Sequence, residues 1–159
     1  MGSVETQSGD WGRITIKGLE GNNTIRDTLI TSALDARTKA YAPYSHYHVG
    51  AALLAESGRI YQGCNIENAS FGATNCAERT AFFKAVSEGE RRFKAIAITG
   101  GLEGENPKEY AYPCGICRQV MQEFAQSDFL IFVAKSVEEY KEYTLAQLLP
   151  EGFGGDSIQ

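Results

Sequence analysis

The sequence predicts an α/β fold: three layers, α/β/α, around a mixed sheet of roughly five strands. Three observations predict it. Apolar β-like runs alternate with segments of helical period, which favours parallel strands joined by helices. An early hairpin signal places an antiparallel pair in the same sheet. One run, "FKAIAIT" (93–99), is almost continuously apolar, as in a strand covered on both faces.

The elements follow in order. "RITIK" (13–17) alternates like a short strand. In "TIRDTLITSALDARTKAY" (24–41), Ile25, Leu29, Ala33, Ala36 and Ala40 recur at helical spacing, and the helix is expected to end before Pro43. "VGAALLAES" and "RIYQGCNI" flank Ser57–Gly58, a hairpin. "ENASFGATN" (67–75) reads as a loop, and "CAERTAFFKAVSEGE" (76–90) as a helix burying Ala77, Ala81, Phe82, Ala85 and Val86. After the 93–99 strand, "GGLEGENPKEYAY" (100–112) reads as a long loop. "CGICRQVMQEFA" is a helix if it starts at its cysteines, "FLIFVAK" a buried strand, "YKEYT" a short edge strand and "LAQLLP" a closing helical turn. One domain is expected over 23–153, with a flexible extension at 1–22 and a tail at 154–159.

Composition narrows the function. The chain has 159 residues, 43% apolar and 22% charged, ordinary for a globular protein. A net charge of −5 argues against a nucleic-acid partner, because polyanion binders carry a basic excess. No apolar run nears the ~18 residues of a membrane span, and the N-terminus lacks the pattern of a secretory signal. A cytoplasmic location is therefore expected, where four cysteines point to metal or redox chemistry and not to disulfides.

Cys114 and Cys117 form a CxxC, and Cys76 stands at another helix start. A CxxC alone is also the pattern of a redox dithiol, but Pro113 replaces the usual preceding aromatic and a third cysteine is left over. Helix N-termini stabilise thiolates. Three thiolates with an open fourth position is the catalytic zinc arrangement, and four ligands the structural one. Cys64 is the leading candidate for a fourth ligand, ahead of His46 and His48. Glu78 has two readings: it closes a capping box with Asn75 as cap, or it moves protons beside the metal. Arg79 opposes the helix dipole unless an anionic cluster lies nearby, which three thiolates on zinc provide.

"YAPYSHYHVGAALL", "GCNIENAS", "CAERTA" and "PCGICRQVM" together resemble cytidine deaminase of the short-chain, homotetrameric kind. Its signature has an acid two residues after the first ligand and a later P-C-x-x-C. The resemblance implies the following. Cys76, Cys114 and Cys117 hold one Zn2+ per subunit, with Arg79 behind them, and Cys64 is not a ligand. Glu78 is the proton shuttle in hydrolytic deamination of cytidine and deoxycytidine, a step of pyrimidine salvage. Asn65 and Glu67 bind the ribose hydroxyls, and Tyr47 packs on the base. Ala77 belongs to the nucleoside-binding set, as do Ala69, Ser70 and Phe71, with Ser70 and Phe71 coming from a neighbouring subunit, and Phe153 closes the pocket. The expected assembly is a homotetramer with shared sites. Tyr112, His48 and the long 100–112 loop depart from the family pattern.

Overall fold

The computed structural model describes residues 22–158. The expected 13–17 strand and residues 1–21 of the N-terminal extension lie outside the described residues, and Asn22 is already helical.

The elements are α1 (Asn22–Arg37), β1 (Tyr47–Ala55), β2 (Ile60–Cys64), α2 (Ala77–Ser87), β3 (Phe93–Leu102), α3 (Gly115–Phe124), β4 (Leu130–Ala134), β5 (Tyr140–Thr144) and α4 (Leu145–Leu148). Five strands form one sheet in the order β2-β1-β3-β4-β5. Only β3 and β4 are parallel, and α3 makes the crossover between them. The hairpin β1–β2 is antiparallel, with Gly50 opposite Cys64 and Leu54 opposite Ile60.

Strand alternation builds the three layers. Along β1, Ala51, Leu53 and Ala55 join the core beneath α2 and α3, whereas Ala52 and Leu54 join a second core with Leu29, Ile30 and Ala33 of α1. β3 does the same, with Ile96 and Ile98 on one face and Ala95 and Ala97 on the other. Both faces are covered, so the continuous apolar run is accounted for.

Two boundaries differ from expectation. α1 ends before Pro43 as expected, but at Arg37, so Ala40 lies beyond the helix. Thr38, Lys39 and Ala40 turn back by i→i−3 bonds to Asp35, Ala36 and Arg37, which leaves the chain free to bridge to the strand region at Tyr41. β3 continues to Leu102, three residues into the expected loop, because Val49, His48 and Tyr47 of β1 pair with Gly100, Gly101 and Leu102. The pairing partner extends the strand where composition alone reads a loop.

α2 and α3 are locked together from below. The Phe82 ring lies 5.0 Å from Phe93 and 6.1 Å from both Phe124 and Phe129. Truncating a fully buried phenylalanine typically costs about 3–5 kcal/mol, so this cluster strongly constrains the two helices that carry the site. Gly63 of β2 lets α2 approach closely: a Cβ there would sit 2.2 Å from the Ala77 carbonyl oxygen.

Candidate active site

α2 and α3 start at the same place. Cys76 is the N-cap of α2 and Cys114 the N-cap of α3, both in extended backbone conformation, and Cys117 lies in the first turn of α3. Their three sulfurs lie within 4.8 Å of one another, the one such group of three or more metal-ligating side chains among the described residues. The Cys76 and Cys114 sulfurs are 3.8 Å apart. A tetrahedral site with Zn–S of ~2.3 Å separates its sulfurs by ~3.8 Å. The donor set therefore fits zinc in type, number and spacing.

The cap differs from expectation. Asn75 does not cap α2: its Nδ2 donates to Thr80 Oγ1 at 3.1 Å, and Thr80 Oγ1 donates to the Cys76 carbonyl at 3.2 Å. Cys76 takes the cap position without a side-chain cap bond. Glu78 is then one residue too early for a capping box, and the structural reading of this carboxylate loses its support. Two helix N-termini, with their free N–H groups, instead face the sulfur cluster.

Glu78 is 4% exposed. Burial pushes its carboxyl from 4.5 up to about 7, its own N–H opposes the shift, the neighbouring Cys76 adds to it and Arg79 opposes it. An acid that titrates near neutrality accepts and returns protons at working pH. Arg79 Nη2 donates to the Cys76 sulfur at 3.3 Å. Burial works against the arginine's charge, but hydrogen bonds to the Cys76 and Cys117 sulfurs outweigh it and raise its pKa. A hydrogen bond from Cys117 and the Arg79 contact outweigh burial and bring Cys76 down to about 5, whereas the same bond and burial make Cys117 hold its proton more tightly.

Cys64 is not in the cluster. Its sulfur contacts the Lys39 carbonyl at 3.4 Å, and burial raises its pKa. Neither histidine is in it either. His46 and His48 both turn toward Glu103, at 3.7 and 4.0 Å. Among the described residues, no fourth metal-ligating side chain joins the three sulfurs.

The remaining residues sit as follows. The Asn65 side chain pins β1, accepting from Val49 N at 2.9 Å and donating to the Tyr47 carbonyl at 2.8 Å. Glu67 accepts from Tyr44 N, Ser45 N and Ser45 Oγ, at 3.0, 3.1 and 2.6 Å. Those bonds, the Ser45 hydroxyl first, hold its carboxyl below the usual range. Tyr47 is half-buried and lines a cleft of about 350 Å³ with Gly101, Leu102 and residues of the 105–109 loop. Ala77 is fully buried at the start of α2. Ala69 and Ser70 are exposed, and Phe71 is 77% exposed with its ring edge-on to Tyr44 at 6.0 Å. Phe153 is 62% exposed, and its carbonyl accepts from Gln119 Nε2 of α3 at 3.0 Å.

Sequence reasoning missed Thr80, Ser45 and Arg118. Arg118 donates to the Pro113 carbonyl at 2.8 Å and the Leu148 carbonyl at 2.7 Å, which straps the Cys114 turn to α4. Its place directly after the CxxC was the available signal. Ser45 offered none.

Comparison with known proteins agrees with this geometry. The family described as "Cytidine and deoxycytidylate deaminase zinc-binding region" matches residues 23–133. A cytidine deaminase of Sporosarcina psychrophila is 48% identical over 132 residues, 83% of this chain and 93% of that protein. A probable cytidine deaminase of Dictyostelium discoideum is 40% identical over 137 residues, 86% of this chain and 89% of that protein. The crystal structure of cytidine deaminase from Burkholderia pseudomallei superposes with a TM-score of 0.72 at 43% identity, covering 79% of this chain and 97% of that one. The chain belongs to the cytidine and deoxycytidylate deaminase zinc-binding family, and its zinc-binding region contains the Cys76, Cys114 and Cys117 triad.

Proposed function

We propose that the protein is a zinc-dependent hydrolase that converts cytidine and deoxycytidine to uridine and deoxyuridine with release of ammonia. The observation that carries this reading is a buried carboxyl, Glu78, in the first turn of the helix that Cys76 caps, beside three convergent thiols. The cytidine deaminases of Sporosarcina psychrophila and Burkholderia pseudomallei support the substrate class.

Cys76, Cys114 and Cys117 would hold the zinc. Bound there, it supplies a Lewis-acid corner that makes water acidic near pH 7. Glu78 takes a proton from the attacking water and gives it to ring nitrogen 3 of cytosine. A C–O bond forms at carbon 4 as the ring N3=C4 double bond becomes single. Glu78 then carries the hydroxyl proton to the amino group, the C4–N bond breaks as the C4–O bond becomes the C4=O carbonyl, and ammonia leaves. Arg79 draws charge from the sulfurs, which keeps three thiolates from quenching the corner's acidity.

Asn65 and Glu67 are the proposed ribose contacts. Both are preorganised by bonds to the chain, and a carboxylate already held in place orders little more on binding. Tyr47 is the proposed wall for the base. Ala69, Ser70, Phe71 and Phe153 are exposed on a single chain, and Cys114 is too. A site this open favours completion by neighbouring copies, so we place the protein in a homotetramer with shared sites. No described helix is long and apolar enough to cross a membrane; a cytoplasmic location is part of the proposal.

The test follows the ultraviolet change as purified protein converts cytidine to uridine, with zinc quantified on the same sample. Turnover that scales with zinc content is expected. Full zinc occupancy without turnover of cytidine or deoxycytidine would overturn the reading.

A further inference from the structure

A second cavity lies away from the cysteine cluster, wrapped around the outer edge of β2. Its volume is about 360 Å³, within the range of small-molecule sites. The walls are Ala36 and Lys39 from the α1 side, Arg59 to Cys64 along the strand, and Thr80, Lys84 and Glu88 of α2.

Its chemistry runs against that of the whole chain. The protein carries a net charge of −5, yet three cations and one carboxylate line this cavity. They come from separate segments. Lys84 Nζ donates to the Gln62 carbonyl at 2.5 Å. An ammonium has three donors, so this bond leaves capacity for an anion. Arg59 Nη2 donates to Glu88 at 3.0 Å, and a guanidinium has five donors in all. Lys39 sits against the Gln62 side chain at 2.9 Å and against Asp35. Lys84 and Lys39 both pull down the pKa that burial raises at Cys64, so their fields meet at that thiol.

The backbone adds a donor. Arg59 and Asn65 turn their polar groups toward β1, through Ala55 N–H to the Arg59 carbonyl and Asn65 N–H to the Val49 carbonyl. Residues between them alternate, and in an antiparallel strand one residue's N–H and C=O point the same way. The Gln62 carbonyl meets Lys84 on the outer side, so the Gln62 N–H faces outward with it. An edge N–H beside an ammonium and a guanidinium is an arrangement suited to oxyanions with several acceptor oxygens.

We propose that the β2 edge cavity binds a small phosphoryl anion, held by Lys84, Arg59, Lys39 and the Gln62 N–H. The site is separate from the deaminase centre but shares α2 with it. Thr80 lines the cavity and also bonds Cys76 and Asn75.

The probe is inorganic pyrophosphate, titrated calorimetrically into the zinc-loaded protein at fixed ionic strength, with sulfate as a second arm. Saturable binding is expected, at least tenfold weaker in Lys84→Met and in Arg59→Met, with cytidine turnover retained in both variants. Pyrophosphate should also slow alkylation of Cys64, read by peptide mass, and lose that effect in Lys84→Met. Absence of saturable binding, or wild-type affinity in either variant, overturns the proposal. Sulfate binding as tightly as pyrophosphate would overturn the phosphoryl assignment. Because turnover is followed separately, failure here leaves the deaminase reading untouched.

Discussion

Glu78→Gln changes one oxygen for a nitrogen in a 4% exposed side chain, and it separates catalysis from stability. Glutamine cannot take a proton from water or return one to the leaving group. General acid–base roles contribute about 10²–10⁴-fold each. Losing a residue that serves both steps should lower kcat by at least about 10³, close to 4 kcal/mol of barrier. Stability should move the other way with pH. The carboxyl titrates at 4.5 ordinarily and at about 7 in the fold, chiefly because burial penalises the anion. The folded state holds this proton longer than the unfolded chain. Its contribution is therefore fully present below 4.5 and is lost as pH rises toward 7. At about 1.4 kcal/mol per tenfold, the loss amounts to about 3 kcal/mol. Urea unfolding of metal-free wild-type and Glu78→Gln protein at pH 5 and pH 8 reads most of it: the difference between the two proteins should change by about 2–3 kcal/mol in favour of the variant at pH 8. Steady-state turnover reads the first effect. A variant with near-normal kcat, or one whose stability parallels wild type across pH, would refute the shuttle and the buried-acid reasoning respectively.

Arg79→Ala removes the donor to the Cys76 sulfur. Losing such an outer partner typically costs about 10–100-fold in metal affinity, to be read as faster zinc loss to a chelator; an unchanged rate would contradict the charge-balance role. Gly63→Ala places a Cβ 2.2 Å from the Ala77 carbonyl and 2.5 Å from Ala81 N. Overpacking of this kind costs about 1–3 kcal/mol, and α2 must shift with Cys76 and Glu78 on it. Both Tm and kcat should fall, and a wild-type value for either would show that the helix has more room than the close approach allows.

Much of the fold was legible because its signals are local. The apolar run of β1 and the three-to-four-residue period of α2 identify each element, and Ser57–Gly58 marks the hairpin. Where pairing decides, the reading failed: residues 100–102 look like loop and are strand because β1 lies beside them. The Asn75 cap failed for a related reason. Asparagine is a good cap by type, but Thr80 claims its side chain. At the site, residue types and their places at helix starts pointed to Cys76, Glu78, Arg79, Cys114 and Cys117. The exclusion of Cys64 needed to know that its sulfur turns to the Lys39 carbonyl.

The amino-acid order alone determined which groups can ligate zinc and that each begins a helix, because spacing, caps and hydrophobic period act over a few residues. Only the tertiary structure decided that sulfurs 38 residues apart come within 3.8 Å. It also decided that Glu78 titrates near neutrality, and that Asn65 spends its amide on β1. Distance and burial depend on every element packed around a residue, and no short window of sequence contains them.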